Sequence, residues 1–233
     1  MRDFGQPLRE RDAQAAYPAQ LRAAGYRTGF VGKWGLGGRL PAGLFDFDRS
    51  FSGQGEYFHE VGGVRRHLES LLADQAIEFL ASDAREPFCL SLCFKAPHSP
   101  WRDFDPALAS LYQGERMPLA KTATAEDSAR LPAFLRESRG GLWWQQPKRP
   151  ERALEAMTRR YYRLISGLDT AVGRVLSALE ARGLRENTVV VFSSDNGVFL
   201  GEHGLTGKWL MYEEAIRVPL VVFDPALPAA QRG

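Results

Sequence analysis

Four short runs of apolar residues punctuate the chain: "TGFVGK" from Thr28, "FCLSLCF" from Phe88, "TVVVFSS" from Thr188 and "PLVVF" from Pro219. Each is near-continuously apolar rather than alternating, the pattern of a strand covered on both faces. Helical spacing fills the intervals. "YPAQLRAAG" has Pro18 near its start and Gly25 as a stop, and "HLESLLADQAIEFLAS" turns Leu68, Leu71, Leu72, Ile77 and Phe79 around a helix. The longest periodic stretch runs from about Pro150 to Arg182. Leu154, Met157, Tyr161, Leu164, Leu168, Val172, Val175 and Leu179 recur every three or four positions, and Gly183 ends it. Residues 101–150 are Pro-rich and weakly periodic, which predicts an excursion of short helices. The alternation predicts an α/β fold with a mostly parallel sheet flanked by helices, whose functional groups gather at the carboxyl ends of the strands.

Composition narrows the function classes. Of the 233 residues, 44% are apolar and 25% charged, which excludes disordered and fibrous classes. A net charge of +2 gives no electrostatic case for nucleic acid. No apolar run is long enough to cross a bilayer. The opening "MRDFGQPLRERDAQ" has no apolar core of a secretory signal. The closing "LVVFDPALPAAQRG" stops just beyond an apolar run, so a fragment is expected at one or both ends. Cys89 and Cys93, four apart on one predicted strand, lie roughly 13 Å from each other, too far for a disulfide.

Three polar clusters fall at predicted strand ends: Lys33, Lys95 with His98, and Asp195 with Asn196. Asp195 and Asn196 offer hard oxygen donors suited to Ca²⁺ or Mg²⁺, although Asp-Asn-Gly is also a plain turn signal. Lys33 in "GKWGLGG" can meet an anion or simply be solvated. Its surroundings are not a P-loop, because Arg27 and Trp34 stand where glycine and Ser/Thr are needed. His98, between two prolines in "KAPHSP", suits a general acid or an anion contact as well as a surface histidine. His59 and His67 read as structural. Trp143-Trp144 reads as packing between the excursion and the sheet, with a cleft lining as the sharper possibility. No zincin or serine-hydrolase motif is present.

"AGYRTGFVGKW", "PFCLSLCFKAPHSP", "YYRLISGLDTAVGRVLSALEARGLRENTVVVFSSDNG" and "LGEHGLTGKWLMYEEAIRVPLVVF" together resemble, in order, the sulfatase family of the alkaline-phosphatase-like superfamily. The resemblance implies that residues 1–233 are part of a catalytic α/β domain that hydrolyses sulfate esters. It implies that Asp195 and Asn196 are Ca²⁺ ligands, with Mg²⁺ the lesser alternative. Lys33, His98 and Lys208 would be catalytic and bind sulfate, and His203 would contact the substrate. The partner implied is a sulfated small molecule or glycan.

Two departures accompany it. Gly35 stands where many sulfatases carry histidine, and no Cys-x-Pro-Ser-Arg motif is present to yield the formylglycine nucleophile. The resemblance places that motif, and the acidic pair that completes the Ca²⁺ site, upstream of this chain. The chain alone is therefore expected to be inactive. A phosphodiesterase or phosphonate hydrolase of the same superfamily, or a non-catalytic binding module with this fold, remain the alternatives.

Overall fold

The computed structural model describes residues 6–82, 86–145, 151–228 and 230. In chain order they form α1 (Glu10–Ala15), α2 (Tyr17–Ala23), β1 (Arg27–Trp34), β2 (Phe47–Ser52), β3 (Phe58–Val61), β4 (Val64–His67), α3 (Leu68–Leu80) and β5 (Phe88–Cys93). There follow α4 (Ala125–Arg130), α5 (Ala133–Arg136), α6 (Arg139–Gln145), α7 (Glu151–Ala181), β6 (Val190–Ser193), β7 (Phe199–Leu200), β8 (Thr206–Gly207), α8 (Glu213–Ile216) and β9 (Leu220–Phe223). The chain divides into two compact units. Unit 1 comprises residues 1–109 and 163–184, and unit 2 residues 110–162 and 185–233.

Unit 1 is built on a three-stranded sheet in the order β2-β1-β5, parallel throughout. The central strand β1 is buried along most of its length, as its apolar run predicts. Successive residues point to opposite faces. Val31 joins Leu68 and Leu72 of α3 and Leu164 of α7 in one core cluster, while Phe30 joins Ala13, Leu40, Leu44 and Phe45 in another. Two glycines let neighbours close on this strand. A Cβ at Gly29 would stand 2.8 Å from the Phe79 ring of α3. At Gly32, with φ +106°, it would stand 2.1 Å from the Cys93 carbonyl of β5.

The α3 helix is clamped electrostatically as well. Asp74 takes a hydrogen bond from Arg66 of β4 at 2.6 Å and another from Arg174 of α7. Burial raises the Asp74 carboxyl, but the two guanidinium hydrogen bonds outweigh it and hold the group below its ordinary value.

Unit 2 has a smaller core of Phe199, Leu205 and Ala215, with Leu131, Leu210 and Tyr212 packed on it. Short helices α4–α6 occupy the Pro-rich segment, as expected. The predicted helix start at Pro150 lies outside the described residues.

The strand expectations need correction at two points. β6 and β9 pair antiparallel with each other as a two-stranded ribbon, in register from Val190↔Phe223 to Ser193↔Leu220. Their apolar side chains are not covered on both faces: Val191 is 60% exposed, Leu220 69% and Val221 60%. The parallel sheet instead gains β2, whose "FDRSFS" mixes aromatic and charged positions and carries no apolar run. The Trp144 ring lies over Gly201 within unit 2, and Trp143 is exposed.

Two outcomes are expected. Gly32→Ala forces both a left-handed backbone and a collision with β5, so chemical denaturation should show a loss above about 3 kcal/mol or failure to fold. Asp74→Asn should lower stability at neutral pH by about 1 kcal/mol, discounted because the pair is partly exposed. Because the folded pKa of Asp74 is depressed, its stabilisation is present above the unfolded value and disappears as pH falls through the folded one. The variant's acid unfolding limb should therefore be flatter than that of the parent, as read from urea midpoints between about pH 5 and pH 2.

Candidate functional site

The carboxyl ends of β1 and β5 hold the unit 1 candidates. Lys33 is half-buried at the end of β1, and its Nζ donates to Gln54 Oε1 at 3.0 Å. Two residues past β5, Lys95 is buried, 5% exposed, and its Nζ donates to the Gly55 carbonyl at 2.7 Å and lies 4.0 Å over the Tyr57 ring. Burial lowers the Lys95 pKa, nearby carboxylates raise it and the Lys33 ammonium adds to the lowering, so the two lysines share one field. The loop after β2 thus joins them: Gln54 meets one ammonium and Gly55 the next.

His98 follows in the same loop and is half-buried. Its Nδ1 lies 2.8 Å from the Ser99 carbonyl. A carbonyl only accepts, so Nδ1 carries the hydrogen and the ring gains or loses its other proton at Nε2. The His98 carbonyl accepts from Tyr57 Oη at 2.5 Å. Burial pushes the Tyr57 phenol well up, which keeps it a donor. His67 stacks on Tyr57 and reaches the Asp103 carbonyl at 3.1 Å, and burial lowers its pKa, in keeping with a structural role. His59 is exposed and sits 3.0 Å from the Glu56 carbonyl.

Unit 2 gathers the remaining candidates. Asp195 is exposed just past β6, with its Oδ1 accepting from Asn196 N at 2.8 Å. The tripeptide does not close a hairpin, because the partner of β6 is β9. Gly197 is needed for a different reason: a Cβ there would stand 2.0 Å from the Glu214 carbonyl. Asn196 donates to the Gly197 carbonyl at 2.7 Å, and its Oδ1 accepts from Lys208 Nζ at 3.2 Å. Lys208 comes straight after β8 and also lies 5.4 Å from the centre of the Trp209 ring.

His203 is held by its surroundings. It adopts φ +57°, its backbone N–H donates to Thr122 Oγ1 at 3.0 Å, and its Nε2 sits 3.1 Å from Glu214 Oε1. Its ring lies on Tyr212, centres 4.8 Å apart.

The structure therefore brings Asn196, Asp195 and Lys208 together, and places Lys33 and the His98 loop around residues 54–57. Gln54, Tyr57 and Glu69 are polar groups that the sequence reading passed over. Gly35 is exposed, with nothing within 4 Å of an added Cβ, so no crowding excludes a side chain there.

Among the described residues no group of three or more His, Cys, Asp or Glu is placed to hold a metal ion. Two adjacent residues fall well short of the roughly six to eight oxygens Ca²⁺ takes, and Asn196 Oδ1 is engaged by Lys208. The described residues do not make such a site by themselves. Cys89 and Cys93 are free and half-buried, and burial raises both thiols, so they stand as neutral groups.

The chain is similar to known proteins of one family. The sulfatase family model matches residues 9–232. An N-acetylglucosamine-6-O-sulfatase of Bacteroides thetaiotaomicron is 29% identical over 91% of this chain and 49% of its own length. A solved structure of a protein in complex with its substrate D-glucosamine-2-N,6-O-disulfate superposes with a TM-score of 0.69 at 24% identity, covering 90% of this chain and 55% of that one. A phosphonate monoester hydrolase from Silicibacter pomeroyi gives 0.73 at 20% identity, covering 96% and 55%, and shares the fold. The chain spans about half the length of each of these three proteins. It belongs to the sulfatase family.

Proposed function

We propose that the chain is the sulfate-gripping part of a sulfate-ester hydrolase acting on a sulfated sugar. The observation behind this is that Lys33 and Lys208 each donate to a neutral amide oxygen, in a chain matching the sulfatase family over residues 9–232. An ammonium held by an amide gains Coulomb attraction when it exchanges that contact for an anionic oxygen, because the amide carries no net charge. In this reading Lys33, His98 and Lys208 act on the sulfate group. The lysines hold negative charge as it develops, and His98, which exchanges its proton at Nε2, protonates the departing alkoxide. His203, tied to Glu214, contributes to substrate binding.

Asp195 and Asn196 are proposed as two oxygen ligands of a Ca²⁺ whose other ligands come from elsewhere in the whole protein. When bound, that ion would lower the energy of negative charge at the nucleophile. The nucleophile itself, a formylglycine, would come from a Cys-x-Pro-Ser-Arg motif outside the present sequence. The sugar substrate is inferred from the relatives, one called an N-acetylglucosamine-6-O-sulfatase and one solved with a disulfated glucosamine.

Turnover of 4-nitrophenyl sulfate, 6-O-sulfated N-acetylglucosamine and a phosphonate monoester by the full-length protein tests the reading. The sulfate esters are expected to react fastest, and the isolated 233-residue chain not at all. Faster phosphonate cleavage would favour a phosphonate hydrolase, and no cleavage of any of the three a binding module. Lys33→Met and Lys208→Met should each lower kcat/KM by about 100-fold. Chelation should abolish turnover, and added Ca²⁺ should return it.

A further inference from the structure

The backbone that presents His98 is held by buried charge. Glu69, on the first turn of α3, is 1% exposed, and its Oε1 accepts from Ala96 N at 2.8 Å. Its Oε2 is buried and makes no hydrogen bond among the described residues. Beside it stands the buried Lys95, tied to the Gly55 carbonyl. The Lys95 carbonyl accepts from His98 N at 2.9 Å, and Tyr57 fixes the His98 carbonyl. The polar backbone on either side of His98 is thus pinned by groups from α3 and from the loop after β2.

Packing does not explain this arrangement. Desolvating a carboxylate and an ammonium costs several kcal/mol each, and apolar replacements of similar volume are often as stable or more so. A leucine at position 69 would suit a core that already holds Leu68 and Leu72. What a leucine cannot do is accept from Ala96 N–H. Burial pushes the Glu69 carboxyl up, against the lowering pull of that N–H and the Lys95 ammonium, to a net value of about 7. The loop favours the carboxylate, and the carboxyl oxygen in turn holds the loop.

We infer that Glu69 is the positioning residue of the proposed reaction, its buried carboxylate pinning Ala96 and so fixing where His98 stands. The inference rests on the sulfate-ester reading above for its catalytic consequence and on hydrogen-bond geometry for its structural one.

The test is a double-mutant cycle in the full-length protein, with 4-nitrophenyl sulfate as substrate. Glu69→Leu is expected to lower kcat by about 10- to 100-fold through misplacement of His98. Glu69→Gln, whose amide oxygen still accepts from Ala96, should recover most of that loss. In a His98→Ala background Glu69→Leu should change kcat less than about twofold, because its effect acts through the missing ring. Equal losses in both backgrounds, or a lowered Tm with kcat per folded molecule unchanged, would overturn the inference.

Should the parent fail to cleave sulfate esters, the function reading falls and the inference is read from the His98 ring resonances by NMR. Glu69→Leu shifting them while leaving those of His59 in place supports it, and unmoved His98 resonances defeat it. If Glu69→Leu does not fold, Glu69→Asp serves the same comparison, since its shorter carboxylate withdraws from Ala96.

Discussion

The Cys93 carbonyl of β5 occupies the space that a Cβ on residue 32 would fill, and much of unit 1 depends on that approach. It lets β1 and β5 stay in register through Gly32↔Cys93, at the point where both strands give way to functional loops. Lys33 is the next residue on one strand and Lys95 stands two beyond the other. Gly29 does related service three residues earlier, where the Phe79 ring seats α3 on the sheet. With α3 seated, Glu69 on its first turn meets Ala96. A glycine chosen for backbone closeness thereby decides where a lysine and a histidine can stand.

Both candidate lysines outside the core lean on amides, Lys33 on Gln54 and Lys208 on Asn196. A carboxylate partner would hold the ammonium more strongly and compete with any anionic ligand. An amide orders the side chain without neutralising it. Lys95 is different: buried against a carbonyl and a tyrosine ring, it has little freedom to turn toward a ligand. The three lysines fall into two kinds, and burial separates them.

Much of this was legible in the sequence, for identifiable reasons. β1, β5 and α7 announce themselves through unbroken apolar runs or long helical periodicity, and Lys33, Lys95 and His98 follow directly from where those strands stop. β2 escaped because its aromatic residues alternate with Asp48, Arg49 and the serines, which reads as surface. The loop "SGQGEY" looks like a turn, so Gln54 and Tyr57 gave no signal before the fold brought them to Lys33 and His98. Glu69 is one acid on an amphipathic helix, and such residues normally face water. Only the placement of Ala96 over the start of α3 shows otherwise. The pairing of β6 with β9 was hidden for another reason: apolar content reports a strand, not its partner or its direction.

The β6–β9 ribbon delivers Asp195 and Asn196, yet its Val191, Leu220 and Val221 side chains lie largely in solvent. Little apolar area is withdrawn from water along it, so its ladder is held mainly by backbone hydrogen bonds, whereas β1 is locked between two core clusters. Local opening free energy follows such differences. Amide protons of β6 in this chain should therefore exchange well before those of β1. The rigidity of the Asp195–Asn196 corner then comes from the Gly197–Glu214 backbone contact and the Lys208 hydrogen bond rather than from the strand that leads to it.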